Sequence, residues 1–133
     1  MTWLVPRLPV LIAALCLAGL YVSIHMLAKQ RAAQRGELTE PSVVQTPRAR
    51  VAGFSNALFG IAYYSLMLVA AALLQAPLVA AAALAAACLA AAFSLYLAYS
   101  LLFVTRMSCA YCWTGHVINW LLLAALIVRR AAL

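Results

Sequence analysis

The fold turns on ALFGIAYYSLMLVAAALLQAPLVAAAALAAACLAAAFSLYLAYSLLFV, residues 57–104, which runs for 48 positions without a charged side chain. An α-helix rises about 1.5 Å per residue, so roughly 20 apolar residues cross about 30 Å of hydrocarbon. The stretch is long enough to cross a bilayer twice, and Gln75-Ala76-Pro77 divides it. Proline is tolerated in the first turn of a helix but breaks a helix interior. Two helices are expected, over 57–74 and 78–104. Outward from them, residues 8–28 form a third apolar run, closed by Lys29, Arg31 and Arg35, and residues 107–128 a fourth, closed by Arg129 and Arg130.

The fold class expected is an all-α membrane protein, a four-transmembrane-helix bundle forming one domain over 1–133. Apolar residues make up 69% of the 133, against 9 Lys+Arg and 2 Asp+Glu. No water-soluble domain of this size could cover itself with so few polar groups. The formal charge of +7 does not indicate a nucleic-acid partner, because the basic residues sit at the ends of apolar runs and in one loop, as membrane anchors do. The partner it implies is the lipid bilayer. Arg7 ahead of an apolar core imitates a signal peptide, but the length of the run favours a retained span. Cys16 follows Leu15, a large residue where a lipid-attachment site wants a small one, and is read as packing.

The one long connection, 29–55, holds both acidic residues, two prolines and five of the nine basic residues. It is read as a surface loop with room for a short interfacial helix. The alanine-rich tract 80–92 is read as a face that lets helix backbones approach closely. Four spans place the 29–55 loop and the turn between the last two helices on the same side of the membrane. His25, Asn56, Tyr99, Phe103, Arg106 and the pair Cys109/Cys112 therefore meet at one leaflet. Cys16 and Cys88 fall about 18 to 25 Å of helix away, too deep to exchange with that pair, and are read as small hydrophobes.

Cys109-Ala110-Tyr111-Cys112 can close a disulfide or hold a metal, or it can serve packing alone. A zinc site would need His116 and His25 to converge on the pair. Redox chemistry is favoured by position: a thiolate is stabilised at a helix N-terminus and near a cation, and Cys109 opens the last helix three residues after Arg106. Cys109, Cys112, His116 and Asn119 recur at spacings of three, four and three and share one helical stripe. Polar groups on such a stripe, about 15 Å into a bilayer, face either a ligand or neighbouring helices. Asn56, Phe59 and Tyr63 share a stripe of the second helix, and Tyr96, Tyr99 and Phe103 one of the third. These aromatic walls suit a planar ligand with carbonyl oxygens, of the quinone type, though aromatic stripes also serve ordinary packing.

These residues resemble the vitamin K epoxide reductase family over nearly the whole chain. The anchors are Gly19-Leu20-Tyr21-Val22-Ser23-Ile24-His25, Phe54-Ser55-Asn56-Ala57-Leu58-Phe59-Gly60, Ser94-Leu95-Tyr96-Leu97-Ala98-Tyr99 and Cys109-Ala110-Tyr111-Cys112. The resemblance implies catalytic Cys109 and Cys112, with Cys112 facing a quinone and Cys109 exchanging with incoming disulfides. It also implies that Asn56 bonds a quinone carbonyl, with His116 at the position that meets the other. An imidazole there can donate a bond or a proton. Phe59, Tyr63, Tyr99 and Phe103 complete the expected quinone site. Typical members carry two further cysteines in the first loop, and 29–55 contains none.

The leading reading is a thiol–quinone oxidoreductase of a bacterial inner membrane, taking electrons from a thioredoxin-fold dithiol protein and passing them to ubiquinone or menaquinone, with no resident metal. A non-catalytic membrane subunit or maturation factor and a metal-handling membrane protein are the alternatives. The dithiol leaflet carries six basic residues and the other leaflet three, which by the positive-inside tendency points the dithiol to the cytoplasm. The resemblance implies the periplasmic side, and that side is taken because several loop charges lie far from the span ends.

Overall fold

The computed structural model describes residues 3, 5–37, 50–51, 54–106 and 109–132. After a short 3-10 turn at Val5–Arg7 come α1 (Leu8–Gln34), the two-residue strands β1 (Arg50–Val51) and β2 (Phe54–Ser55), α2 (Asn56–Ala72), α3 (Pro77–Tyr99) and α4 (Ala110–Ala131). A π-helical segment, Ser100–Thr105, continues α3. Among the described residues three helical stretches, Leu8–Gln34, Pro77–Val104 and Ala110–Ala131, are long and apolar enough to cross a membrane, and Asn56–Ala72 is a shorter apolar helix.

The helices sit where the apolar runs place them, but their ends differ. α1 runs six residues past the expected end at 28, since a loss of hydropathy marks where lipid ends and not where helix ends. Ala, Gln and Arg are all good helix formers. The helix stops at Gly36, whose φ of 72° is the left-handed conformation that glycine adopts without a Cβ penalty. Gly36 N donates to Ala33 O at 3.0 Å and Glu37 N to Ala32 O at 2.9 Å, satisfying carbonyls that the helix end would leave open. The Arg35 guanidinium forks onto the Glu37 carboxylate at 2.8 and 3.1 Å, holding that carboxyl below its usual range by hydrogen bond and charge. At the other boundary, α4 begins at Ala110 instead of 107, with Cys109 as its extended N-cap. The described part of the long loop contributes an antiparallel pair, Arg50 opposite Ser55 and Val51 opposite Phe54, where an interfacial helix was allowed for. Residues 38–49 of that loop lie outside the described residues.

α1 packs against α2 and α4, and α4 carries α3 on its far side. Side-chain size explains both seams. On α1 the buried face is Leu8, Ile12, Cys16, Gly19, Val22 and Ser23, recurring every three or four residues. Gly19 lies directly under the Tyr64 ring of α2: a Cβ there would come within 2.6 Å of Tyr64 Cδ1 and nearer to Cε1. Gly60 of α2 makes the reciprocal approach to Ser23. On α3 every buried position is small, namely Ala83, Ala87, Ala91, Ser94 and Ala98, which confirms the close approach expected of the alanine tract. Bulky residues such as Leu78, 82% exposed, and Leu89, 74%, point outward. Outward leucine and inward alanine suit a solvent of lipid tails, where backbone proximity and not hydrophobic exclusion holds helices together. Cys16 is buried as expected, whereas Cys88 is exposed on the outer face of α3; both are free thiols.

Replacing Gly19 by valine drives a branched side chain into the Tyr64 ring. The expected cost is about 1–3 kcal/mol, from displaced backbone or off-rotamer packing. Thermal unfolding of the purified protein in detergent checks it: Gly19→Val melts below wild type, while Cys88→Ala, on the outer face, does not.

Candidate functional site

Cys109 has an extended backbone, with φ −152° and ψ 97°, and Ala110 starts α4. This break in backbone direction brings Cys109 back over the first turn of the helix. Its Sγ accepts the Cys112 backbone N–H at 3.2 Å, in the way a side-chain cap satisfies an orphan amide. Cys109 and Cys112 are joined as a disulfide, with Cα atoms 5.3 Å apart. Both sulfurs thus lie at the positive end of the α4 dipole. Arg106, at the end of the π-helical segment, takes a left-handed conformation (φ 55°) and is exposed, its Nε donating to Phe103 O at 3.3 Å.

Tyr111, between the two cysteines, stacks on His25 of α1 with ring centroids 4.0 Å apart and planes 18° from parallel. Tyr21 lies one turn down α1, its ring 6.4 Å from that of His25. The pair ties the disulfide turn to α1 and brings the α1 exit and the α4 entrance to one end of the bundle, as the four-span reading required. Sequence reasoning put His25 and the cysteines on one leaflet but did not foresee the stack. The available signal was Tyr111 itself, an aromatic residue inside the motif with a histidine at the same level.

The polar stripe of α4 divides in two. Asn119 serves helix packing: the Tyr64 hydroxyl donates to Asn119 Oδ1, and Asn119 Nδ2 donates to Ser94 Oγ at 2.6 Å. Tyr64 also reaches Gly115 O at 3.5 Å, and Trp120 Nε1 reaches Ala91 O at 3.3 Å. His116 is buried between Trp113 and Trp120 of its own helix, with centroids 5.9 and 6.2 Å away. It remains as the polar side chain of the stripe nearest the disulfide. Tyr64 and Ser94 were missed in the sequence because the stripe 56-59-63 was followed and not 56-60-64. Gly60, a small residue on the second stripe, marked the closer contact.

Asn56 opens α2 and is half-buried, with its side-chain oxygen out of solvent. Tyr63 sits edge-on to Tyr64 at 5.1 Å, and its hydroxyl is buried without a hydrogen-bond partner among the described residues. Phe59, Tyr99 and Phe103 face outward, 47%, 59% and 59% exposed, with Tyr99 and Phe103 in contact at 5.1 Å. Among the described residues no three His, Cys, Asp or Glu side chains gather as a metal site. His25 is turned to Tyr111 and His116 to its tryptophans, so a zinc centre on the cysteines draws no support from these two.

Apolar helices packed as a bundle, three of them long enough to cross a membrane, define a multi-pass membrane protein, and the Cys-x-x-Cys pair sits at one end of that bundle. Residues 10–127, most of the chain, match the model of the Vitamin K epoxide reductase family, and the chain belongs to that family. Its members are in general membrane oxidoreductases that use quinones. No curated protein matches the chain.

The His25–Tyr111 stack generates a prediction about the couple. A stacked aromatic pair contributes about 0.5–1.5 kcal/mol, and for a two-electron couple about 1.4 kcal/mol corresponds to 30 mV. If the stack belongs to the disulfide form, His25→Ala raises the Cys109/Cys112 reduction potential by up to about 30 mV, and His25→Phe restores it. Equilibration against glutathione buffers, read by alkylation of the free thiols, measures the shift.

Proposed function

We propose that the protein is a thiol–quinone oxidoreductase that accepts electrons from a partner dithiol at Cys109–Cys112, and so supports disulfide formation in the partner. The observation that carries this reading is the disulfide at the α4 N-terminus, held by the Tyr111–His25 stack. A partner thiolate attacks Cys109 Sγ, forming a mixed disulfide and releasing Cys112 as thiolate. The partner's second thiol then attacks its own sulfur in that mixed disulfide, and Cys109 leaves as thiolate. The partner is oxidised by two electrons, and with two protons the pair becomes a dithiol. The helix dipole and the amide that Cys109 already accepts favour charge on the departing sulfur.

When bound, a quinone supplies a sink for two electrons and two protons. The residues present fit such a group. The Tyr63 hydroxyl is a buried donor without a described acceptor, Asn56 heads the same helix, and His116 lies one turn below Cys112. Phe59, Tyr99 and Phe103 offer flat apolar faces on the side from which a lipid-dissolved molecule arrives. In this reading Cys112 is the quinone-side sulfur, Asn56 and His116 hold the carbonyl oxygens, and all four helices cross the membrane, α2 as the shortest. The setting is a bacterial inner membrane with the disulfide on the periplasmic side. The 29–55 loop has no cysteine to relay electrons, so a thioredoxin-fold partner engages Cys109 directly.

Two outcomes are expected. With the resolving thiol removed, Cys112→Ser accumulates a mixed disulfide between Cys109 and its partner, seen as a reducible band on non-reducing gels; absence of any adduct with the partner expressed sinks the direct-docking reading. Asn56→Ala and His116→Ala each lose a hydrogen bond worth about 1–3 kcal/mol in a water-poor site, which is about 5- to 150-fold in quinone reduction. Dithiol-dependent reduction of a soluble quinone analogue, alongside melting temperatures, separates that loss from simple destabilisation.

A further inference from the structure

The end of the bundle away from the disulfide carries a feature that this chemistry does not use. Between α3 and α4 lies a cleft of about 320 Å³ lined by Pro77, Ala80, Leu84, Leu126, Arg129 and Arg130. Four of the lining residues are apolar and the other two are adjacent arginines. Arg129 is partly buried and gives one nitrogen to Leu74 O at 2.8 Å, capping a carbonyl at the α2–α3 turn. A guanidinium has five N–H donors in a planar fork, so that bond leaves most of its donors available. Arg130 is exposed. Neither has a carboxylate partner among the described residues. Of the chain's two acidic side chains, Glu37 follows α1 at the opposite end of the bundle and is paired with Arg35, and Glu40 lies outside the described residues.

The two arginines follow directly on the apolar run of α4, at the level where hydrocarbon gives way to headgroups. We propose that the cleft is a binding site for one anionic phospholipid, its phosphate on Arg129 and Arg130 and an acyl chain along Pro77, Ala80, Leu84 and Leu126. Charge complementarity selects the anion. The apolar wall below the cations selects a lipid over a free phosphate, since an inorganic anion gains nothing from leucine and proline. Basic pockets between membrane helices recognise headgroups on this principle.

The test uses the full chain in nanodiscs of phosphatidylglycerol and phosphatidylcholine in equal parts, with lipids retained after extraction counted by native mass spectrometry. Wild type is expected to retain one phosphatidylglycerol. Arg130→Gln is expected to weaken retention about five-fold, the factor equivalent to about 1 kcal/mol per cation at a lipid surface. Ala80→Leu, which fills the cleft without altering charge, is expected to displace the lipid, and Arg7→Gln, a cation at the same end of the bundle but outside the cleft, to leave it bound. Equal weakening by Arg7→Gln and Arg130→Gln overturns the site in favour of a diffuse surface field. Displacement of the lipid by millimolar inorganic phosphate overturns it in favour of a simple anion site.

Discussion

Everything in this bundle hangs on the chain of hydrogen bonds from Tyr64 through Asn119 to Ser94, which joins α2, α4 and α3 in the middle of the apolar layer. In hydrocarbon no water competes for these groups, so each must find a protein partner, and the geometry that supplies all of them is narrowly defined. Tyr64 reaches Asn119 because Gly19 leaves room for its ring, and Gly60 lets α2 lie down on Ser23 of α1. α1 is thus recruited by the absence of side chains, and α2, α3 and α4 are joined by the presence of polar ones.

That lock sets the level of the site. Asn119 is ten residues beyond Cys109, about 15 Å of helix, and the disulfide rides at the end of that rod. The second constraint is the His25–Tyr111 stack, which stops the first turn of α4 from fraying away from α1. Between these two fixed points lies His116, and its burial beside Trp113 and Trp120 follows from being caught between them.

The number and order of the helices were legible in the sequence because lipid imposes a length requirement that few sequences meet by accident. The ends were not. α1 carries its helix through Lys29 to Gln34, since backbone hydrogen bonding continues where hydropathy stops, and Cys109 caps α4 instead of lying within it. That the cysteine motif and His25 meet at one end of the bundle could be read from spacing and from the even number of helices. Which tyrosine of Tyr63-Tyr64 lies on α1 could not, because both positions satisfy a helical period and only Gly19 of α1 decides between them. For the same reason Phe59, Tyr99 and Phe103 could be grouped by stripe but not assigned to the inner or outer surface.

The alanine seam between α3 and α4 has a mechanical consequence. Ala83, Ala87 and Ala91 repeat at intervals of four, so the surface α4 meets looks nearly the same after a slip of one helical turn. Over these three positions the seam is a smooth rail and does not by itself define where along it α4 comes to rest. The index is supplied by two bonds, Trp120 Nε1 to Ala91 O and Asn119 Nδ2 to Ser94 Oγ, which act as detents. A slip of one turn would carry the sulfurs about 5 Å along the membrane normal. The depth of the disulfide is thus calibrated by two side chains that never touch it.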